Sequence, residues 1–478
     1  MSVRKTVWDT VAISLTNVVR LSAQFVAVPV LARILSPSDY GLVAMSMPFV
    51  LFGMMLADSG IGMSLVRTPP NKRVEWSTSF WLSGLLGFFL AAIMAGSAPI
   101  MAYLFNEPKL TPIIMTLVIV IIVQAICAIP GAALQQQQEF RIIAIIDIVA
   151  TMASIGAAVL IALNGGNAWA LVGQQLTLYV VRTVLTLWAT PFRPLMIFDL
   201  KGLKEHLLFS RDVLSVNVLG FLTRSMDNLV IGKVLATTAL GVYSMAFQFA
   251  RLPAMLVSGP LQYVLYAQLA QFKENKNAIR DTFLILTRIL GIIIFPSMGM
   301  IAVAYHPVFT LLLSAKWAHS GAIFMLIAAS CALQAVTSLF GTVRMVLGRT
   351  DYQLRATVES GVIWLLGLFA SVRFGLEWVA IAYNVIFICY TPRAMALTLP
   401  LIECPSSSYL RTMTAPVVAT CICIMSYQIL LECLPFSEWQ RLCLAIVLAI
   451  IGIGSSGFTQ REAIWSEVRL LRGNVIGI

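Results

Sequence analysis

Arg20, Arg224 and Arg251 stand in the interior of long apolar segments, too far from either end for their guanidinium groups to reach water easily. A charge at such depth in a bilayer is costly, so arginines there face a wet interior or a partner rather than lipid. Helical spacing gives each of them polar company. Asn17, Arg20 and Gln24 share one stripe, and Asn217, Arg224, Asp227 and Asn228 share another. Gln248 and Arg251 are neighbours, Gln175, Tyr179 and Arg182 form a third stripe, and Ser330, Gln334 and Ser338 are stacked. Arg182 and Arg288 lie nearer the segment ends, where they either join the interior set or snorkel to the interface. A guanidinium fork matches phosphate and carboxylate. The pattern therefore points to an anionic ligand whose hydroxyl-rich parts meet amide and phenol groups. The acids within segments are Asp58, Asp147, Asp227 and Glu359. Asp227 is one turn from Arg224 and is read as its ion-pair partner. Asp58 and Glu359 are read as ion-pairing or ion-coupling candidates. Asp147 and Glu359 are close enough to one face to snorkel. Isolated Ser, Thr and Gln side chains are read as hydrogen-bond glue between helices.

The elements that must position these groups are membrane helices. The 478 residues are 59% hydrophobic and 11% charged, with a mean hydropathy of +0.89. A soluble domain carries roughly 25% charged residues. An ordinary soluble enzyme, a disordered chain and a disulfide-stapled secreted domain are all excluded. A spanning helix needs about 20 apolar residues. Fourteen segments qualify, near 9–32, 41–65, 78–104, 111–135, 142–162, 168–188, 212–234, 239–264, 282–305, 320–343, 353–372, 376–398, 412–432 and 440–458. Short connections carry breakers such as Pro37 and Gly165–Gly166. The longest connection, 189–211, reads as an amphipathic segment on the membrane surface, and 460–478 as a second interfacial helix. The expected organisation is an N-terminal lobe over 1–190, a cytoplasmic linker over 191–211, a second lobe over 212–400, and two further spans with an amphipathic tail over 401–478.

The formal net charge is +11. It reflects loop placement rather than nucleic-acid binding. With the N-terminus inside and spans alternating, inside loops collect 21 of the 32 Lys and Arg residues and outside ends collect 6. The remaining 5 are the arginines within spans. This bias places both termini in the cytoplasm and requires an even number of spans. The N-terminus runs into the first span and reads as uncleaved. Cys127, Cys331, Cys389, Cys421 and Cys423 lie in apolar runs and read as small core residues. With three histidines, no CxxC, no HExxH and no nucleotide-binding motif, no metal, cofactor, catalytic residue or direct ATP use is expected.

The chain also repeats itself. VLARILSPSDYGLVAMSM (30–47) lies over VIGKVLATTALGVYSMAF (230–247) at a shift of 200. Without a gap, Asn17 falls on Asn217, Gln24 on Arg224, Arg33 on Lys233, Gly41 on Gly241 and Met45 on Met245. Six spans separate the copies, so both halves share one orientation. Parallel repeats of this kind are typical of two-lobed transporters. The simplest account is a central cavity, lined by amides and arginines, between two six-helix lobes.

MDNLVIGKVLATTALGVYSMAFQFARLP (226–253), LARILSPSDYGLVAM (31–45) and DSGIGMSLVR (58–67) resemble the signature of Wzx-type polysaccharide flippases, in the colanic-acid-exporter-like branch of the MOP superfamily. The resemblance spans the first ten segments and fades over the last four. It implies an all-α, MATE-like V-shaped fold of two pseudo-symmetric six-helix lobes plus two C-terminal helices. It implies movement of undecaprenyl-pyrophosphate-linked oligosaccharide between leaflets of a bacterial inner membrane by alternating access. It implies a monomer working in membrane lipid beside a polysaccharide polymerase and co-polymerase, with cavity arginines at Arg20, Arg224 and Arg251. A drug or cation exporter of the same fold is the alternative, disfavoured by the excess of arginine over acid. A membrane-embedded polymerase or ligase is a further one. Its long catalytic loop is missing here, since the longest outside loop, 305–319, offers only His306, Lys316 and His319.

Overall fold

A computed structural model describes residues 20, 23–58, 62, 65, 73–199, 204–259, 261, 262, 269 and 275–476, excepting the side chains of 58, 204–217, 219, 220, 222–224, 253, 254, 256, 464 and 466–476. All regular structure among the described residues is helical. Among the described residues, twelve helices are long and apolar enough to cross a membrane. A short apolar helix and a break inside one of the twelve bring the segments to the fourteen expected from sequence. They are α1 (Ala23–Ile34), α2 (Pro37–Asp58), α3 (Arg73–Phe105), α4 (Leu110–Gln136), α5 (Phe140–Leu163), α6 (Ala168–Ala189), α7 (204–235) and α8 (237–253). The rest are α9 (Lys276–Val303), α10 (Ala315–Val346), α11 (Thr350–Phe374), α12 (Leu376–Ile402), α13 (Ser406–Cys433) and α14 (Glu438–Ile476).

The chain divides into two compact units, Met1–Gly241 and Val242–Ile478. In the first, α3 packs on α4, α5 on α6, and α4 also on α2 and α6. In the second, α9 is the hub for α10, α13 and α14, while α12 packs on α10 and α11. Lys276 Nζ, at the start of α9, lies 2.7 Å from Glu403 Oε1 in the turn after α12. Its charge and hydrogen bond hold that exposed carboxyl below its ordinary range.

The repeat is a structural fact. Positions 31, 32, 33 and 34 are buried, buried, exposed and exposed, and so are 231, 232, 233 and 234. The chain breaks at corresponding places. Before α2, Ser36 Oγ donates to Asp39 Oδ2 at 2.6 Å while Asp39 N donates to Ser36 Oγ, a reciprocal cap with Pro37 in the first helical position. Between α7 and α8 the break is Ala236, at φ 68°. Gly41 and Gly241 then meet reciprocally. A Cβ on Gly41 would overlap the Thr237 carbonyl oxygen, and one on Gly241 would overlap the Pro37 carbonyl oxygen. The two helix starts thus cross about a local two-fold, with room for hydrogen only. Further along, the register shifts to 210. Gln138 and Gly348 take left-handed φ of 58° and 70° in matching turns, as do Gly165 and Gly375 at 77° and 109°.

Two expectations change. Residues 190–199 are extended, with no amphipathic helix, and helix resumes at Lys204. Pro191 and Pro194 disfavour helix here by removing N–H donors. The segment is strapped to the first turns of α3: Leu195 N donates to Ser77 Oγ (3.0 Å), Trp81 Nε1 to Leu195 O (2.9 Å) and Asp199 N to Thr78 Oγ1 (3.1 Å). Phe192 packs on Trp76 and Phe80. The expected second interfacial helix is instead the continuation of α14, which runs unbroken for 39 residues. Cys127, Cys331 and Cys423 are buried as expected, whereas Cys389 and Cys421 are exposed.

The glycine crossing makes a prediction. Gly41→Ala and Gly241→Ala should each destabilise the purified protein by at least the roughly 1–3 kcal/mol of overpacking, because backbone rather than a flexible side chain must yield. Gly84→Ala, whose Cβ would meet nothing within 4 Å, should leave the thermal midpoint in detergent unchanged. Equal midpoints for all three would refute the crossing.

Candidate functional site

Two of the expected arginines converge within the first unit. Arg182 Nε lies 3.0 Å from Asp147 Oδ1, and Arg20 Nη1 lies 3.6 Å from Asp147 Oδ2. The carboxylate is 18% exposed and the two guanidinium-bearing side chains 35% and 38%. One acid between two cations leaves an excess positive charge, and both arginines remain accessible. Asp147 is seven residues into α5 and Arg182 seven from the end of α6. At 1.5 Å per residue both are about 10 Å inside the helix ends. Asp147 therefore does not snorkel, as expected from sequence, but bridges arginines from two other helical segments. Arg20 Nε is buried without a partner. Tyr179 and Gln175 lie half-buried on the face of α6 that carries Arg182, and Gln24 is exposed.

The second unit holds a counterpart. Glu359 of α11 accepts from Arg393 Nε (3.1 Å) and Nη2 (3.0 Å) on α12, and from Arg355 Nε (2.7 Å) one turn back. In each unit a carboxylate on one arm of a helical hairpin grips an arginine on the other. Glu359 is thus an ion-pair residue, held in place rather than reaching alone for the interface. Arg251 and Gln248 are exposed, and the Arg251 guanidinium lies 5.7 Å from the centroid of Phe247. Phe247 begins an aromatic run through Tyr383 to Trp364 and Phe387. Gln334 and Tyr383 exchange hydrogen bonds of 3.0 and 3.1 Å, Ser330 N donates to Asn384 Oδ1, and Gln262 donates to Ser338 Oγ. The stacked Ser330, Gln334 and Ser338 are therefore helix-to-helix glue. Arg288 is half-buried and has an interaction partner.

Several expected residues are not brought to either cluster. Asn17 and the side chains of Asn217, Arg224 and Asp58 lie outside the described residues, so the Arg224–Asp227 pairing does too. Asp227 is buried, and its Oδ1 accepts from Asn228 N at 2.9 Å. His306 pairs with Glu438 at 3.3 Å.

A family described as polysaccharide biosynthesis protein matches residues 30–322. The chain belongs to that family. Among relatives of this polysaccharide biosynthesis protein, the teichuronic acid biosynthesis protein TuaB of Bacillus subtilis is 26% identical over 407 residues, covering 84% of this chain and 83% of the relative. The lipopolysaccharide biosynthesis protein WzxC of Escherichia coli is 25% identical over 353 residues, covering 73% and 71%. The succinoglycan biosynthesis transport protein ExoT of Rhizobium meliloti is 24% identical over 374 residues, covering 77% and 76%. The lipid II flippase MurJ in an inward closed conformation matches the fold with a TM-score of 0.74 at 14% identity, covering 96% of this chain and all of that one. An inward-facing multidrug MATE transporter of the MOP superfamily matches at 0.63 and 14%, covering 82% and 99%. The protein is a multi-pass helical membrane protein of the polysaccharide biosynthesis protein family, with a fold like that of MurJ and MATE.

In this polysaccharide biosynthesis protein the role of Asp147 escaped the helical-stripe reading, which compares residues along one helix only. A signal across helices was present. Asp147 is 18 residues before Gly165 and Arg182 is 17 after it; Glu359 is 16 before Gly375 and Arg393 is 18 after it. Residues equidistant from a tight helical turn face each other.

Asp147→Asn should destabilise the protein by an amount between the roughly 1 kcal/mol of an exposed pair and the roughly 3 kcal/mol of a buried one. Combined with Arg182→Gln, the loss should be smaller than the sum of the two. Strict additivity of thermal midpoints would remove the bridge.

Proposed function

We propose that the protein flips undecaprenyl-pyrophosphate-linked oligosaccharide units from the cytoplasmic to the periplasmic leaflet for surface polysaccharide assembly, by alternating access. The observation that carries this reading is the accessible pair of guanidinium groups, Arg20 and Arg182, sharing the single carboxylate of Asp147 inside the bilayer-spanning part of the first unit. A diphosphate offers these arginines more charge and more acceptor atoms than one carboxylate does. The incoming diphosphate displaces Asp147, and Asp147 takes the arginines back on release. Such exchange keeps the guanidinium groups compensated in the empty state. Arg251, with Arg224 and Arg288, extends the cationic path. The amides and phenol at Gln24, Gln175, Tyr179 and Gln248, with Asn17 and Asn217, meet glycan hydroxyls. The polyprenyl chain stays in lipid. The ligand drives the switch only through different affinity for the two access states.

The family, and relatives named for polysaccharide biosynthesis and transport, support the substrate class. The likeness to a lipid II flippase supports the fold in which it would act. The lobes taken to rock are 1–190 and 212–400, joined by 191–211, with 401–478 alongside. The working unit is a monomer in the bacterial inner membrane, with both termini in the cytoplasm, delivering to a polymerase and co-polymerase.

Deleting the gene should make lipid-linked oligosaccharide accumulate while the exported polymer disappears. Complementation with Arg20→Gln, Arg182→Gln or Arg251→Gln should lower export at least tenfold at normal membrane levels, the loss expected of charge-assisted bonds worth about 1.5–3 kcal/mol each. Unchanged intermediate and polymer with raised sensitivity to cationic drugs would favour an exporter instead. A reporter fused after Asn164 should read periplasm and one after Lys276 cytoplasm. The inverse pattern would overturn the orientation.

A further inference from the structure

Arg344 is the one buried arginine among the described residues, at 4% exposure. A guanidinium does not give up its proton, so a buried one needs compensation. Its two hydrogen-bond partners are neutral: Nε donates to Thr398 Oγ1 at 2.9 Å and Nη1 to Gln353 Oε1 at 3.0 Å. Both partners are fixed in turn. Thr398 Oγ1 donates to Ala394 O, and Gln353 Nε2 to Thr357 Oγ1. The C-terminal end of the helix Leu339–Val346, on which Arg344 sits, offers part of a charge at most. Tyr390 stands between this cradle and the neighbouring Glu359 and Arg393, with its hydroxyl on Ala356 O at 3.0 Å. Glu359 is already bonded by Arg355 and Arg393. Two guanidinium groups thus share that carboxylate, and Arg344 has no carboxylate among its own hydrogen-bond partners. Arg349 is paired with Asp351.

The cluster lies at helix ends. Arg344 is two residues from the end of α10, Gln353 three from the start of α11 and Thr398 four from the end of α12. All three are within about 6 Å of those ends, at the level of lipid headgroups rather than of the hydrocarbon core. From the same end of α11, Leu354, Val358, Val362 and Leu366 run along one face at four-residue intervals, each 43–66% exposed. We propose that Arg344, with Arg355 and Arg393 at the rim, binds the phosphate of an anionic membrane phospholipid, whose acyl chain lies along this α11 stripe. The proposal does not depend on the flippase reading.

The test uses the full chain, purified in detergent and stripped of lipid. Phosphatidylglycerol or phosphatidylethanolamine with identical acyl chains is added, and bound lipids are counted by native mass spectrometry. One phosphatidylglycerol should bind at least tenfold more tightly than phosphatidylethanolamine. Arg344→Gln should lose that one molecule and keep any others. Thr398→Val, which removes the acceptor for Nε together with the bond to Ala394 O, should weaken it. Wild-type protein with no preference between the two lipids would overturn the proposal without any variant, as would a phosphatidylglycerol count unchanged by Arg344→Gln. Displacement of the lipid by millimolar inorganic phosphate or pyrophosphate would show that the site takes a free phosphate, and would overturn the lipid assignment.

Discussion

A guanidinium cannot shed its charge inside a bilayer, so every arginine within the helices must find compensation. The fold meets that demand in three ways. Arg20 and Arg182 share Asp147, Arg355 and Arg393 share Glu359, and Arg344 rests on neutral oxygens alone. The first arrangement leaves a partly exposed cationic pair inside the helices. The second pins α11 to α12. The third leaves a charge unanswered by protein at headgroup level. The same residue type therefore stands in three different surroundings, and what differs is the acid-to-arginine ratio around it.

That ratio also separates the candidate functions. A carrier of organic cations needs a carboxylate free to meet its cargo. Of the four acids within segments, the three whose side chains are described are occupied: Asp147 and Glu359 are each taken by two arginines, and Asp227 is buried with its own partner. The MATE likeness is one of fold. Fold carries no cargo specificity, which lives in the side chains grafted on it.

Much of this was legible in the sequence. Charge and apolar run lengths suffice for spans, because a bilayer tolerates little else than helices. The 200-residue repeat was legible because Gly41 and Gly241 are constrained by backbone contact, and such positions keep their register while lipid-facing ones drift. What stayed hidden depended on pairing across helices. Asp147 lies about two turns inside α5, and only Arg20 and Arg182, 127 and 35 residues away, show that it bridges rather than snorkels. Arg344 looked like one more loop cation, since its burial comes from Gln353 and Thr398, 9 and 54 residues away. The extended strap at 190–199 was misjudged because its apolar residues outweighed Pro191 and Pro194, although prolines constrain backbone more firmly than hydropathy does.

The arginine clusters do not follow the repeat. The copies share one register through the glycine crossing and another, ten residues longer, by the Gln138 and Gly348 turns. From those turns to Gly165 and Gly375 the register stays at 210, so Asp147 falls on Thr357 and Glu359 stands two residues further on. Asp147 and Glu359 accordingly do the same work from positions that do not superpose in either register, at 18 and 16 residues before their turns. Asp147 takes Arg20 from ahead of α1, whereas Glu359 takes Arg355 from one turn back on its own helix.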